Sequence, residues 1–198
     1  PPLAFLILNA LLGLGFGLGG ALAIAGLLTA ARLLRGQTPL YALGGVGGVA
    51  LAALIAWLLG REEGFFLPGI VTNALTVLLI LISLLAGRPL VAWTSHLARR
   101  WPLAWYWHRR VRPAYAEVTW AWLLFFAARL ALQVALYRRE AVGLLGTLQV
   151  ITGWPLTIVL LAGSYLYGTW RLKNLGGPSV TEFEAGAEPP WQGQQRGF

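Results

Sequence analysis

Long stretches without charged residues constrain this sequence more than any other feature. A single helical span needs about 20 apolar residues, and five runs in the chain meet that requirement: residues 3–31, 38–59, 64–87, 118–137 and 141–170. Only the fourth run contains a charge, at Arg129. None of the runs alternates in polarity as a transmembrane strand does. The sequence therefore predicts an all-α, polytopic transmembrane helical bundle with five to six membrane helices.

Composition narrows the functional classes. The chain is 58% hydrophobic and 11% charged, whereas about a quarter of the residues in a soluble domain are charged. It has no Cys and no Asp, which excludes thiolate catalysis and paired aspartates around Mg²⁺. His96 and His108 lack the spacing of a metal site, and no nucleophile motif is present. We expect no metal and no enzyme activity, and the sequence leaves any cofactor unknown.

Basic residues predict the orientation. The connection over residues 88–114 holds six Arg and no acid, so the positive-inside rule places it in the cytoplasm. Residues 1–173 then form one transmembrane domain, and residues 174–198 form a flexible cytoplasmic tail. The net charge of +8 is explained by loops that face the anionic inner leaflet, and no nucleic-acid binding is expected.

The cytoplasmic connection combines aromatic and basic residues. Leu90, Trp93, Leu97 and Trp101 recur at helical spacing and predict an amphipathic helix at the interface. The end of this helix and the residues after it form a basic and aromatic platform, made of Arg99, Arg100, Trp101, Trp105, Trp107, Arg109, Arg110 and Arg112. One interpretation is anchoring at the headgroups. The other is a docking surface for anionic membrane lipid or for a partner protein.

Glycine and proline mark where the helices pack or break. The first run is either one tilted helix or a short segment that breaks and returns, because five glycines lie in its middle. The spacings Gly13-x-x-x-Gly17 and Gly44-x-x-x-Gly48 favour close helix packing, within the chain, in a homo-oligomer or with another membrane protein. Gly153-Trp154-Pro155 predicts a kink in the fifth run.

Polar residues inside the apolar runs are the candidate ligand or ion site. Arg129, Gln133 and Tyr137 follow one another at intervals of four and share a helix face. Intramembrane charges usually face the bundle interior or water. Asn73, and Asn9 in a similar four-residue context, are the other candidates. The structural alternative for Arg129 is that it extends to the interface or binds a carbonyl at the end of a neighbouring helix.

Several motifs, in order along the chain, resemble the DUF3159 family of actinobacterial membrane proteins. They are Arg32-Leu33-Leu34-Arg35, Phe65-Phe66-Leu67-Pro68-Gly69-Ile70, Arg88-Pro89-Leu90, Thr119-Trp120, Arg129-Leu130 and Gly153-Trp154-Pro155. The resemblance implies a multi-pass protein of the bacterial cytoplasmic membrane and implies no reaction. The Arg88-Pro89-Leu90 step and the Trp-rich fourth run also resemble, more distantly, the intracellular septation protein family of the inner membrane, which implies a contact role in the envelope.

Three functional hypotheses follow. The first is a non-enzymatic membrane protein that acts by protein or lipid contact, as an envelope or division factor or as a subunit of a complex. The second is a small transporter or channel for an ion, an anion or a lipid, in which Arg129 acts with Gln133 and Asn73. The third is a pigment-binding or quinone-binding subunit of a bioenergetic complex, in which the ten Trp residues line a pocket.

Overall fold

A computed structural model of the protein describes residues 1–36 and 38–198, with the backbone alone described for residues 39–42. The described part of the chain is helical and contains no strand, which confirms the all-α prediction. The helices are α1 (Pro2–Leu12), α2 (Leu14–Leu34), α3 (Pro39–Leu59), α4 (Leu67–Leu85), α5 (Leu90–Arg99), α6 (Leu103–Tyr106), α7 (Arg112–Arg138), α8 (Val142–Ile151), α9 (Trp154–Leu175) and α10 (Val180–Glu184), with a 3-10 turn at Glu62–Phe66 before α4.

The long helices are suited to a membrane. Within the described residues, four segments are long and apolar enough to cross one: Leu14–Leu34, Glu62–Leu85, Arg112–Arg138 and Val142–Leu175. Two shorter apolar helices accompany them, Pro2–Leu12 and Leu43–Leu59. Large apolar side chains are exposed along these segments, as lipid-facing surfaces require. The predicted polytopic helical architecture is therefore confirmed.

The first apolar run breaks at Gly13. This residue lies between α1 and α2 with φ +89° and ψ 175°, a backbone conformation that is essentially restricted to glycine. The two helices then pack against each other. A Cβ on Gly17 would lie 2.7 Å from the Cβ of Asn9, and one on Gly20 would overlap Leu8. Of the two sequence alternatives, the structure shows the broken segment that doubles back.

The fifth apolar run is also interrupted where the sequence predicts a kink. Helix α8 ends at Ile151, and α9 begins at Trp154, so Thr152 and Gly153 separate the two helices. Pro155 cannot donate a backbone hydrogen bond to the preceding turn, which is the physical reason for the interruption. The break leaves carbonyl groups at the end of α8 that need partners from elsewhere in the protein.

The predicted amphipathic helix is α5. It ends at Arg99, because Arg100 adopts a left-handed conformation with φ 57°. Its two faces differ, since Ala92 is fully buried and Leu97 is 75% exposed. Trp101 therefore lies beyond the helix rather than on its apolar stripe.

The chain divides into two compact units, each with its own core. The first unit comprises residues 1–73 and 129–155, and the second comprises residues 74–128 and 156–198. Phe5, Phe65 and Phe66 form the centre of the first core, with the rings of Phe5 and Phe65 stacked 4.2 Å apart. Aromatic residues also form the second core, among them Trp105, Tyr106 and Tyr115. The sequence predicted a single domain over residues 1–173, without this division.

Residues 174–198, for which the sequence predicts a flexible tail, contact the core of the second unit. Val180 and Phe198 are buried in the core of the second unit, and Leu175 and Phe183 pack against it. Trp191 donates its indole N–H to the carbonyl of Ala187. Few large apolar residues are present here, but they are aromatic or branched, and four of the five lie in the core or against it. The segment over residues 176–198, called the tail below, belongs to the second unit, and its flexibility stays a prediction.

Candidate functional site

Arg129 lies on α7 and contacts the break after α8. Its Nη1 donates a hydrogen bond of 3.2 Å to the carbonyl oxygen of Thr152. Its Nε is buried and has no hydrogen-bond partner among the described residues. A helix C-terminus carries partial negative charge on its free carbonyls, which attracts a cation. This is the helix-end contact that the structural alternative for Arg129 describes.

The other intramembrane candidates of the first unit do not converge on Arg129. Asn73 donates from Nδ2 to Oε1 of Gln133 at 2.8 Å, and both side chains are buried. Tyr137 packs against the core around Phe5. The amide of Asn9, buried on α1, donates to Oε2 of Glu62 at 2.6 Å. The sequence stripe thus divides into separate contacts within the first unit.

Acidic and basic side chains meet near the 3-10 turn of the first unit. Arg61 Nε lies 2.7 Å from Oε1 of the buried Glu63, and Arg61 also pairs with Glu140. The two carboxylates raise the pKa of the Arg61 guanidinium, with Glu63 the larger cause. In the described residues, no group of three or more acidic or histidine side chains has the spacing of a metal site.

The second unit contains an ion pair that no sequence pattern predicts. Arg171 on α9 binds Glu117 on α7 through two hydrogen bonds of 2.8 Å, from Nε and from Nη2. Tyr167 donates a third hydrogen bond to Glu117 at 2.7 Å. The partners are 54 residues apart in sequence, so neither helical spacing nor any local motif connects them. This bidentate geometry joins the two helices and leaves both charges satisfied.

The predicted platform lies in the second unit, where the tail contacts some of its members. Trp105 is fully buried and donates its indole N–H to the carbonyl of Pro178 at 2.9 Å. Arg110 donates to the carbonyl of Gly176 and lies 5.5 Å from the ring of Trp191. The tail therefore covers part of the platform. The remaining members are partly buried or exposed, namely Arg100, Trp101, Trp107, Arg109 and Arg112.

Residues of the second unit form a cavity of about 480 Å³ that opens to the surface of the unit. Helices α4, α5, α7 and α9 line it, and Phe198 of the tail forms part of its wall. Its volume is within the range of small-molecule sites, about 300–1,000 Å³. Carbon atoms dominate the wall, with side chains that include Ile80, Leu90, Trp122, Phe126 and Leu161.

Several hydroxyl groups in the cavity wall are engaged in local hydrogen bonds. Ser164 donates to the carbonyl of Leu160 and accepts from the indole of Trp122. Thr119 donates to the carbonyl of Tyr115, and Thr94 donates to the carbonyl of Val91. The interior therefore offers an occupant mostly apolar contacts, although several of its residues are polar by type.

Arg99 provides a charge at this cavity. Its guanidinium lies 4.7 Å from the ring of Trp101, and its Nη1 donates to the carbonyl of Arg196 in the tail at 3.1 Å. In the described part of the chain, no carboxylate lies within ion-pair distance of Arg99. The cavity thus combines an apolar interior with a cation that has no acidic partner.

The predicted packing glycines have different surroundings. Gly17 lies against Asn9, and Gly13 forms the turn between α1 and α2. A Cβ on Gly44 or Gly48 would meet no atom of the chain within 4 Å. Close packing at those two positions stays a prediction, because it needs another molecule.

The fold and these contacts define an α-helical integral membrane protein. A family model described as a protein of unknown function, DUF3159, matches residues 1–172, so the chain belongs to this family. This confirms the resemblance in the sequence motifs, while the distant septation relationship stays a prediction. In the comparisons with curated proteins and with solved structures, nothing matches the chain.

Proposed function

We propose that the protein is a non-enzymatic integral membrane protein that acts by contact, and that its contact is with an anionic membrane lipid held in the cavity of the second unit. The observation that carries the proposal is the pairing of this apolar cavity with Arg99. The orientation predicted from Arg and Lys places α5 at the cytoplasmic leaflet of the bacterial membrane, where anionic lipids are abundant.

The interior of the cavity favours an acyl chain over a polar substrate. A polar occupant would leave its own groups without hydrogen bonds, because the hydroxyls of Ser164 and Thr119 are already bonded to the protein. An unpaired polar group in an apolar environment costs several kcal/mol, about 2–7 by transfer measurements. An acyl chain carries no such groups and contacts the same carbon surface at no such cost.

The charge at Arg99 selects the headgroup. Moving a chain from the bilayer into an apolar cavity gains little hydrophobic energy, since lipid tails are themselves apolar. Discrimination between lipids therefore depends on the headgroup. A basic residue near an anionic lipid contributes about 1 kcal/mol, so we expect phosphatidylglycerol to be preferred over phosphatidylcholine by about fivefold.

Native mass spectrometry of the purified protein tests this proposal. Ala98 lines the cavity, and Ala98→Trp should exclude the bound lipid by filling the space. The matched control is Leu97→Trp, since Leu97 is on the same helix but 75% exposed and outside the wall. We expect retained phosphatidylglycerol in the control and its loss in Ala98→Trp.

Charge variants provide the second comparison. Arg99→Gln should abolish the preference for the anionic lipid, and Arg100→Gln, next to it but outside the cavity wall, should keep it. Equal lipid retention in all four variants would remove the cavity as the lipid site. A retained quinone or pigment in place of lipid would contradict the acyl-chain assignment and support the bioenergetic hypothesis.

A small anion transporter is the second candidate, because the buried Nε of Arg129 has no described hydrogen-bond partner. In this reading, Nε would bind an anion while Nη1 holds Thr152. Anion flux into liposomes should then fall in Arg129→Ala and persist in Arg139→Ala, a change at an exposed position at the end of α7. Flux that is equal in the two variants would remove this site.

A further inference from the structure

The tail occupies the rim of the cavity with its own atoms. Arg196 places its carbonyl oxygen on Nη1 of Arg99 at 3.1 Å. Phe198 stacks on Tyr115 with ring centroids 4.3 Å apart and forms part of the cavity wall. A Cβ on Gly197 would overlap the hydroxyl of Tyr165, another wall residue, so this part of the tail lies close to the wall. The group that would bind a lipid headgroup is therefore already engaged by the chain itself.

A narrow slot holds the aromatic end of this segment. Phe198 lies directly over Gly168 on α9, so that a Cβ on Gly168 would overlap its ring. A glycine is required there while the ring is in place. Glycine is therefore required at residue 168 only in the docked state of the tail.

Hydrogen bonds to Glu182, called the latch below, hold together the segment that carries these contacts. The Glu182 carboxylate accepts from the backbone N–H groups of Ser179 and Gln192, each at 2.7 Å, and from that of Gly193 at 3.3 Å. It also accepts from the Ser179 hydroxyl. One side chain therefore connects the start of the tail to Gln192 and Gly193, while residues 184–190 between them are exposed. Such polar contacts at a wet surface are individually weak and reversible.

We infer that the tail is a reversible internal occupant of the cavity rim, which competes with the anionic lipid headgroup for Arg99. This inference rests on the proposed lipid site and names its regulation. A headgroup at Arg99 displaces the carbonyl of Arg196, and Phe198 then leaves its slot over Gly168. Thermodynamic linkage requires the converse, so undocking the tail raises the lipid affinity by the same factor.

The absence of cysteine from the sequence allows a direct test. Gln195→Cys introduces one thiol at an exposed tail position for a nitroxide spin label. Protein in nanodiscs of phosphatidylcholine should give an immobilised spectrum. In nanodiscs that contain phosphatidylglycerol, a mobile component should appear. Because general repulsion of the acidic tail would act in every variant, the effect must vanish in Arg99→Gln and persist in Arg100→Gln.

A matched glycine pair separates docking from lipid binding. Gly168→Ala places a methyl group in the Phe198 slot, whereas Gly163→Ala on the same helix meets nothing within 4 Å. We expect Gly168→Ala to mobilise the label in both kinds of nanodisc and to raise phosphatidylglycerol retention several-fold over Gly163→Ala. Both variants gain the same helix propensity, so folding does not explain a difference.

The outcomes distinguish this inference from the lipid site itself. Lipid that binds equally well in both glycine variants, with label mobility independent of nanodisc composition, would overturn the competition and leave the lipid site intact. Failure of every variant to retain lipid would overturn the lipid site, and the competition with it. A label that is mobile in phosphatidylcholine already in the unmodified background would contradict the docked tail.

Discussion

Arg129 is a charged residue placed where a helix break creates acceptors. Its Nη1 donates to the carbonyl of Thr152, between α8 and α9. In the membrane no water is available to replace such a bond. The sequence could show the charge and the kink separately, at Arg129 and at Pro155. It could not show that the two meet, because 23 residues separate them.

Replacing Arg129 should destabilise the fold. Arg129→Gln shortens the side chain, so that the carbonyl of Thr152 loses its donor, which costs about 1–3 kcal/mol for a buried group. Equilibrium unfolding in mixed detergent micelles measures the change. Arg139→Gln, at an exposed position, is the control and should leave the free energy of unfolding unchanged. Equal stability of the two variants would argue against a helix-end role.

The buried amide pair in the first unit should show coupled energies. Asn73 Nδ2 donates to Oε1 of Gln133 at 2.8 Å, and hydrogen bonds between membrane helices are worth about 0.6 kcal/mol on average and about 1.7 at most. In a double-mutant cycle with Asn73→Leu and Gln133→Leu, we expect a coupling energy in that range. Strictly additive effects on the free energy of unfolding would show that the pair contributes no direct interaction.

Among the helices and their connections, Gly13 determines where the first apolar run breaks and changes direction. Gly13→Ala forces a Cβ into a conformation with φ +89°, which costs about 1–3 kcal/mol. Gly15→Ala lies two residues away in α2, where a Cβ meets nothing within 4 Å. We expect a lower free energy of unfolding for Gly13→Ala and an unchanged or slightly higher one for Gly15→Ala. The reverse order would contradict the helix break at Gly13.

The latch at Glu182 should make tail docking depend on pH. Hydrogen bonds from the backbone N–H of Gln192, then from those of Ser179, hold the pKa of Glu182 at about 2, below its usual 4.5. A lowered folded-state pKa means that the stabilisation is fully present above pH 4.5 and is lost as the pH falls toward 2. The spin label at residue 195 should therefore become mobile across this window.

Neighbouring groups set the controls for that titration. His108 contacts Phe183 and Trp191, and burial, together with Arg110, lowers its pKa below 6.5. The lowered pKa favours the neutral imidazole, so His108 is a second group whose charge changes as the solution is acidified. Glu184 and Glu188 are further carboxylates of the same tail. Glu182→Gln should remove the transition, and Glu184→Gln should retain it. A transition that persists in Glu182→Gln would show that another group controls docking.

Sequence patterns predicted the helices of this protein better than the contacts between residues that are far apart in the sequence. Hydropathy and Pro155 were sufficient for the spans and the kink, because both effects act locally. The packing of the tail could not be predicted from the sequence, since its composition is polar and the contacts of its few apolar residues, such as Val180 and Phe198, depend on the second core. The cavity and the Glu117–Arg171 ion pair likewise depend on residues far apart in the sequence.

For the whole molecule, membership of the DUF3159 family and the apolar helices establish a membrane protein. The contact proposal adds that the second unit distinguishes one lipid from its surroundings. Large apolar side chains such as Leu132 and Leu166 are exposed, and bulk lipid covers such surfaces without selectivity. A functional lipid must therefore differ from these annular lipids in its position and in its charge dependence.

Photo-crosslinking with a phosphatidylglycerol that carries a diazirine on its acyl chain shows whether the cavity of the second unit holds the lipid. Peptide mapping should place the adducts on residues of the cavity wall, including Leu161, Trp122 and Phe126. The adducts should disappear in Ala98→Trp and persist in Leu97→Trp. Adducts that instead spread evenly over exposed positions such as Leu132 and Leu166, and that do not respond to Ala98→Trp, would contradict a lipid site in the second unit.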